Sequence, residues 1–228
     1  MELYYFPTPN GHKVTIALEE MGLPYEIVLV NILDNGQGQP AFLDISPNGR
    51  IPALVDHDGA GERVKIFESG AILQYLGRKS GRFYPVSEAG RSWVDAWVFW
   101  QMSALGPMSG QVNWFVRVSK VPNRDPRDSA YPIKRYTKEV RRLYAVLERE
   151  LAGKEYICGD YSIADMACWP WVDKYHGNAG ELAEYPHISA WRNRVAARPA
   201  VQRAINIGED WSVKIRSLPN SSPFVTGG

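Results

Sequence analysis

Over residues 1–80 the apolar positions switch period several times, and each switch marks a change between strand and helix. Leu3 to Phe6 is a run of strand length; Val14, Ala17, Leu18 and Met21 follow at i, i+3, i+4 and i+7, the spacing of a helical face that Gly22 and Pro24 bring to an end. Tyr25 to Val30, rich in β-branched residues, predicts a second strand, and Pro40 to Asp44 a short helix. Pro52 to Val55 and Arg63 to Phe67 predict two more strands around a turn at Asp56-His57-Asp58-Gly59. Ser69 to Arg78 closes this part as a helix with Ile72, Tyr75 and Leu76 facing inward.

From Glu88 onward strand signals vanish. Trp93, Trp97 and Trp100 line one face of a long helical segment that continues past Gly106-Pro107 towards Ser119, and the proline predicts a kink there. Pro122 to Asp128 is rich in Pro, Asp and Arg and reads as a loop. Tyr136, Val140, Leu143, Leu147 and Leu151 mark a second long helix, and Ile188, Trp191 and Val195 a later one. Ser162-Ile163-Ala164-Asp165 ahead of an apolar run is a capping box and is assigned to folding, with Tyr161 and Met166 available as an apolar staple. The pattern divides the chain into an α/β domain over 1–80, a linker over 81–87, an all-helical domain over 88–207 and an irregular tail over 208–228 whose Pro, Ser and Gly residues show no clean period.

Charge and cysteine content narrow the chemistry. Lys and Arg total 26 against 25 Asp and Glu, so no global field draws the chain to nucleic acid or to a membrane surface. No apolar run reaches the roughly 18 residues of a spanning helix, and Met1-Glu2-Leu3-Tyr4-Tyr5 lacks a signal-peptide layout, so a cytoplasmic protein is expected. Cys158 and Cys168 are the only cysteines and form no C-x-x-C, which provides neither a protein dithiol nor a four-cysteine metal site, and no metal is expected. Cys168 falls in an apolar helix and reads as a buried small residue, and neither cysteine is a good nucleophile candidate.

Two segments carry the chemistry. Phe67-Glu68-Ser69-Gly70 places a Glu-Ser pair at the start of an apolar helix, where free N–H groups and the positive end of the dipole suit a carboxylate while the Glu suits an ammonium. In Asn48-Gly49-Arg50-Ile51-Pro52 the proline cannot donate a ladder hydrogen bond and tolerates a cis peptide, so the main chain of Ile51 can turn out to pair with an extended peptide. Together they describe a pocket for a small zwitterionic peptide.

These motifs resemble the glutathione site of the cytosolic glutathione transferase superfamily, whose fold is a thioredoxin-like α/β domain followed by an all-α domain. Tyr5-Phe6-Pro7-Thr8-Pro9-Asn10-Gly11-His12-Lys13 is most similar to the Nu-class bacterial disulfide-bond oxidoreductases. The resemblance implies that Glu68 and Ser69 take the γ-glutamyl head, that Ile51, beside Pro52, pairs with the cysteinyl unit, and that Arg50 and Gln37 lie near the glycine end. It also brings Arg135, at the start of the second long helix, to the glutathione. Tyr4 and Tyr5 sit in the first strand itself, one on each face, and in the loop after it Thr8 and Asn10 remain: Thr8 to donate a hydrogen bond to the glutathione sulfur and Asn10, as N-cap of the next helix, to place its amide beside it. A helix N-terminus lowers a thiol pKa, so no general base is required, and His12 is left out.

The function implied is glutathione-dependent reduction of disulfides by bound glutathione thiolate, with reduced and oxidised glutathione as co-substrate forms and a homodimer as the assembly. One alternative is a transferase or peroxidase acting on hydrophobic electrophiles, with Trp114, Phe115 and Tyr175 lining an aromatic cleft. The other is a non-catalytic glutathione-binding regulator.

Overall fold

The computed structural model describes residues 1–59, 61–122, 125 and 127–208, and divides into two compact units, Met1–Arg82 with Arg198 onward, and Phe83–Ala197. In the first unit β1 (Glu2–Tyr5), β2 (Glu26–Leu29), β3 (Ala53–Gly59) and β4 (Glu62–Phe67) form one sheet in the order β2-β1-β3-β4. β1 runs parallel to β2 and antiparallel to β3, and β3 antiparallel to β4. The parallel pair needs a crossover, which α1 (Pro9–Met21) supplies, stopping at Gly22 in the left-handed conformation with φ 67°. Alternation along β1 splits its side chains. Tyr4 packs with Val30, Phe42, Ile45, Ala53 and Val55 beside the short helix α2 (Pro40–Leu43), while Leu3 and Tyr5 are fully buried on the other face. α3 (Ser69–Ser80) follows β4 and packs against α1. This is the thioredoxin-like arrangement expected.

The Asp56-His57-Asp58-Gly59 segment, expected as a turn, is strand: β3 runs on to Gly59, with a register shift between Asp56 and Gly59. The carboxylate of Asp56 explains the extension. It accepts from Tyr75 Oη at 2.6 Å and Lys79 Nζ at 2.8 Å, both on α3, and from the Asp58 amide at 3.1 Å. Burial alone would raise this carboxyl, but these hydrogen bonds outweigh it and hold the pKa at about 2.

The second unit is built from α4 (Glu88–Trp100), α5 (Gly106–Val118), α6 (Arg127–Glu150), α7 (Ile163–Tyr175) and α8 (Pro186–Ala196). The interruption expected near Pro107 is a π-helical turn, Gln101–Leu105, between α4 and α5. Pro107 cannot donate to the carbonyl four residues before it, and a wider turn absorbs that loss. The stretch from Pro122 to Asp128, expected as a loop, is already helical at Arg127, while Asn123, Arg124 and Pro126 lie outside the described residues. Arg135 therefore stands within α6 rather than at its start. The last helix among the described residues, α9 (Pro199–Ile205), belongs to the first unit and packs on α1, where Arg198 pairs with Glu20 at 2.5 Å and Arg203 with Glu19 at 2.7 Å. A division that keeps residues 88–207 together does not include this return. Apart from Gly208, the irregular tail read from the sequence lies outside the described residues.

Asp165 organises the second unit. Its fully buried carboxylate accepts from the amides of Ile157 and Ser162, both at 3.0 Å, from Ser162 Oγ at 3.4 Å and from Trp191 Nε1 at 2.8 Å, tying α7 to α8 and to the chain before it. Burial raises its pKa to about 6 against these bonds. Because the folded carboxyl holds its proton more tightly than an unfolded one, this group favours folding below about pH 4, and that contribution is lost as pH rises through about 6. Asp165→Asn puts an NH2 group against the Ser162 amide and is expected to destabilise the protein by about 2–4 kcal/mol at pH 7. Chemical denaturation across pH 4–7 checks both points, since the variant should also lack the fall in stability contributed by this group.

Candidate functional site

The register of the sheet gathers the candidate residues at one end. Tyr4 of β1 lies opposite Ala53 of β3, which lies opposite Phe67 of β4. The chain leaving β1 after Tyr5, entering β3 at Ala53 and leaving β4 after Phe67 therefore meets at a single edge of the first unit. Thr8 and Asn10, Ile51 and Pro52, and Glu68 and Ser69 occupy those three crossings.

At the first crossing the N-cap of α1 is Thr8, not Asn10. Thr8 has extended backbone angles, φ −127° and ψ 162°, and its Oγ1 accepts from the Gly11 amide at 3.3 Å. Pro9 sets this register. Its fixed φ and missing N–H suit the first helical position, so the cap falls on the residue before it and Asn10 becomes the second residue of the helix. Since Oγ1 accepts from Gly11, the Thr8 hydroxyl still has its own proton to donate. Gly11 is required for the close approach: a Cβ there would lie 2.4 Å from the carbonyl oxygen of Phe6 and 2.7 Å from the Tyr5 ring.

At the second crossing Ser46 is buried and holds the loop. Its Oγ donates to the Arg50 carbonyl at 2.9 Å, and its carbonyl accepts from the Gly49 amide at 2.8 Å. Gly49 adopts φ 60° and passes so close to Gln37 that a Cβ would be 3.3 Å from the Gln37 carbonyl. The loop thereby brings Gln37 and Arg50, far apart in sequence, to the same corner. Arg50 is exposed, and the Gln37 Oε1 is buried without a hydrogen-bond partner among the described residues. The Ile51–Pro52 peptide is cis. Ile51 packs its side chain on the cluster around Phe42 and precedes the first rung of the β1–β3 ladder, so its main chain stands outside the sheet pairing.

At the third crossing Glu68 has φ 70° and ψ 115°, a conformation rarely taken by a residue with a side chain, and stands exposed as N-cap of α3 with no side-chain capping bond. Ser69, the first residue of α3, is buried, and Lys13 Nζ donates to its Oγ at 3.4 Å. Lys13 was not singled out from the sequence. The available signal was its spacing of i, i+3, i+4 from Ile16 and Ala17, which puts a lysine in line with apolar positions.

Other polar groups are directed elsewhere. Tyr5 Oη is 3.0 Å from the Ile207 carbonyl and 3.2 Å from His12 Nδ1, and burial pushes its phenol well above the ordinary range. Cys158 and Cys168 are both in the second unit; burial pushes the Cys158 thiol up to about 12, and Cys168 is wholly buried in α7. Arg135, exposed on α6, also belongs to the second unit, and Trp114 is exposed there while Phe115 stacks on Tyr136 with ring centroids 5.9 Å apart. Among the described residues no group of three or more His, Cys, Asp or Glu is placed to hold a metal ion.

Family models describe both parts: the glutathione S-transferase N-terminal domain matches residues 1–78 and the glutathione S-transferase C-terminal domain residues 116–199. The chain belongs to the glutathione S-transferase family. Disulfide-bond oxidoreductase YfcG of Escherichia coli K12 is 44% identical over 208 residues, covering 90% of this chain and 94% of its own. Among solved structures, a glutathione transferase of Burkholderia graminis with two glutathione molecules bound per subunit matches with a TM-score of 0.83 at 41% identity, over 91% of this chain and 88% of its own. One from Pseudomonas putida with one glutathione disulfide per subunit gives 0.81 at 39% identity, over 90% of each chain.

Protonated and shielded thiols should be inert. With the Cys158 thiol at about 12, only ~1 part in 10,000 is thiolate at pH 8. Ellman's reagent should therefore label neither Cys158 nor Cys168 within minutes in the native protein and both in denaturant. Rapid native labelling would contradict the raised Cys158 pKa or the burial of Cys168.

Proposed function

We propose that this protein is a cytoplasmic, Nu-class glutathione-dependent disulfide reductase that uses bound glutathione as its only reacting thiol. The observation that carries the proposal is the α1 start, where a threonine hydroxyl with a proton to donate caps the helix while both cysteines lie in the other unit, Cys168 buried and Cys158 half-buried with its thiol pushed up to about 12. The γ-glutamyl head would lie between Glu68 and the Ser69 helix start, its ammonium offset by the carboxylate. The cysteinyl unit would pair with the Ile51 main chain beside Pro52, and the glycine carboxylate would meet Arg50 and Gln37. This directs the sulfur to Thr8 and the first turn of α1. Asn10 and Thr8 would stabilise the thiolate by hydrogen bonding and dipole, and Arg135 would add a cation to the site.

The chemistry then balances without a protein cysteine. The glutathione thiolate attacks one sulfur of the substrate disulfide; that S–S bond breaks, a mixed disulfide with glutathione forms, and the departing thiolate takes a proton from water. A second glutathione thiolate attacks the glutathionyl sulfur; the mixed S–S bond breaks, the second substrate thiolate leaves and takes a proton from water, and glutathione disulfide forms, so two glutathiones supply the two electrons. The glutathione disulfide and paired glutathiones bound by the relatives are the species such a cycle needs. The protein partner would be a second copy of the chain: α4 leaves Trp93 and Phe99 exposed at 49% and 62%, and the first unit leaves Leu43 and Phe67 exposed.

Glutathione-dependent reduction of hydroxyethyl disulfide, measured beside conjugation to an aryl halide, tests the chemistry. Thr8→Val should lower kcat/KM for the disulfide by about tenfold to a hundredfold, as loss of one anion-stabilising donor does, while a variant lacking both cysteines keeps wild-type turnover. Conjugation outpacing disulfide turnover would select the transferase alternative, and a folded cysteine-free variant without activity would refute the mechanism.

Sedimentation velocity tests the assembly. Wild type should run as a dimer, and Phe99→Ser should shift it towards monomer.

A further inference from the structure

Lys13 is a charge in a costly place. It is 1% exposed, in the second turn of α1, where the positive end of the helix dipole opposes a cation. Local rules of sequence choice favour an apolar residue here, and their breach next to a candidate site points to a role there. The ammonium reaches from α1 to the first residue of α3 and donates to Ser69 Oγ at 3.4 Å, with Ser69 itself 5% exposed.

We propose that Lys13 positions Ser69 for the γ-glutamyl carboxylate of glutathione, an inference that rests on the assignment of Glu68 and Ser69 to that head. A hydroxyl that accepts from an ammonium is polarised for donation, and a carboxylate seated at the α3 N-terminus would be its acceptor in the complex. The same charge adds to the helix terminus in holding the anion where solvent is excluded. Lys13 acts through Ser69 and not on the sulfur, so its effect falls on glutathione affinity and on one functional group of glutathione. The zwitterionic head is then read by two opposed devices: Glu68 for the ammonium, and the Lys13–Ser69 pair for the carboxylate.

The test compares Lys13→Met, Lys13→Gln, Ser69→Ala, Glu68→Ala and the Lys13→Met/Ser69→Ala double variant, using glutathione and γ-aminobutyryl-cysteinylglycine, which lacks the glutamyl α-carboxylate. Lys13→Met should raise the KM for glutathione about tenfold to a hundredfold, more than it lowers kcat, and should leave affinity for the truncated peptide at the wild-type value. In the Ser69→Ala background it should add nothing. Lys13→Gln keeps a neutral donor and should show an intermediate loss; it makes the same comparison if the Met variant does not fold. Equal weakening of both peptides would mean general distortion and overturn the proposal. An unchanged KM in Lys13→Met beside weakened Ser69→Ala and Glu68→Ala would overturn it while leaving the site assignment standing. Wild-type affinity in Ser69→Ala and Glu68→Ala would overturn both.

Discussion

The turn from β4 into α3 is the constraint on which the site depends. Phe67 is fixed opposite Ala53 by the ladder, and the next residue but one already lies in a helix, so Glu68 alone must reverse the chain and does so at φ 70°. A carboxylate is thereby held out to solvent while Ser69 is drawn inward under Lys13. The other crossings are placed by the same rows of the sheet. Ile51 reaches the edge because Ala53 begins β3, and Thr8 because β1 ends at Tyr5. Backbone register, more than any single side-chain contact, sets the spacing of the groups that would read a short peptide.

Much of this was legible in the sequence because it rests on local chemistry. Gly22 had to end α1, Ile51-Pro52 had to precede a strand, and Glu68-Ser69 had to open a helix. The cap of α1 is also local: Thr8-Pro9 carries the signal, since proline at the first helical position puts the cap before it, although Asn10 is an equally good capping residue by type. The extension of β3 through Asp56 was not legible, because it depends on Tyr75 and Lys79 from a helix formed later in the chain. The return of α9 and the Lys13–Ser69 contact likewise join residues distant in sequence, and neither pattern nor propensity encodes such pairs. The π-helical turn replaced a simple kink because a proline specifies only which hydrogen bond is lost, not how the helix accommodates the loss.

A thioredoxin-like sheet hosts many chemistries, and what this one can perform is decided by which groups stand at its edge. Here the edge offers donors and a dipole, and the cysteines are withdrawn into another part of the molecule. Redox chemistry under that arrangement has to be supplied by a diffusible thiol. In the proposed cycle the protein would contribute orientation and a stabilised sulfur anion, and its own covalent structure would be the same before and after.

The discontinuity of the first unit bears on how the chain is made. α1 receives part of its cover from α9, through Arg198 and Arg203 and through the Ala204 carbonyl that accepts from Thr15. Synthesis from the N-terminus delivers the sheet early but that cover last. The unit from Phe83 to Ala197 has all its residues before the first unit has its own, so on a ribosome the later part of the sequence is able to complete its packing first. Until residue 198 emerges, the outer side of α1 has to be carried as exposed surface on a half-finished domain.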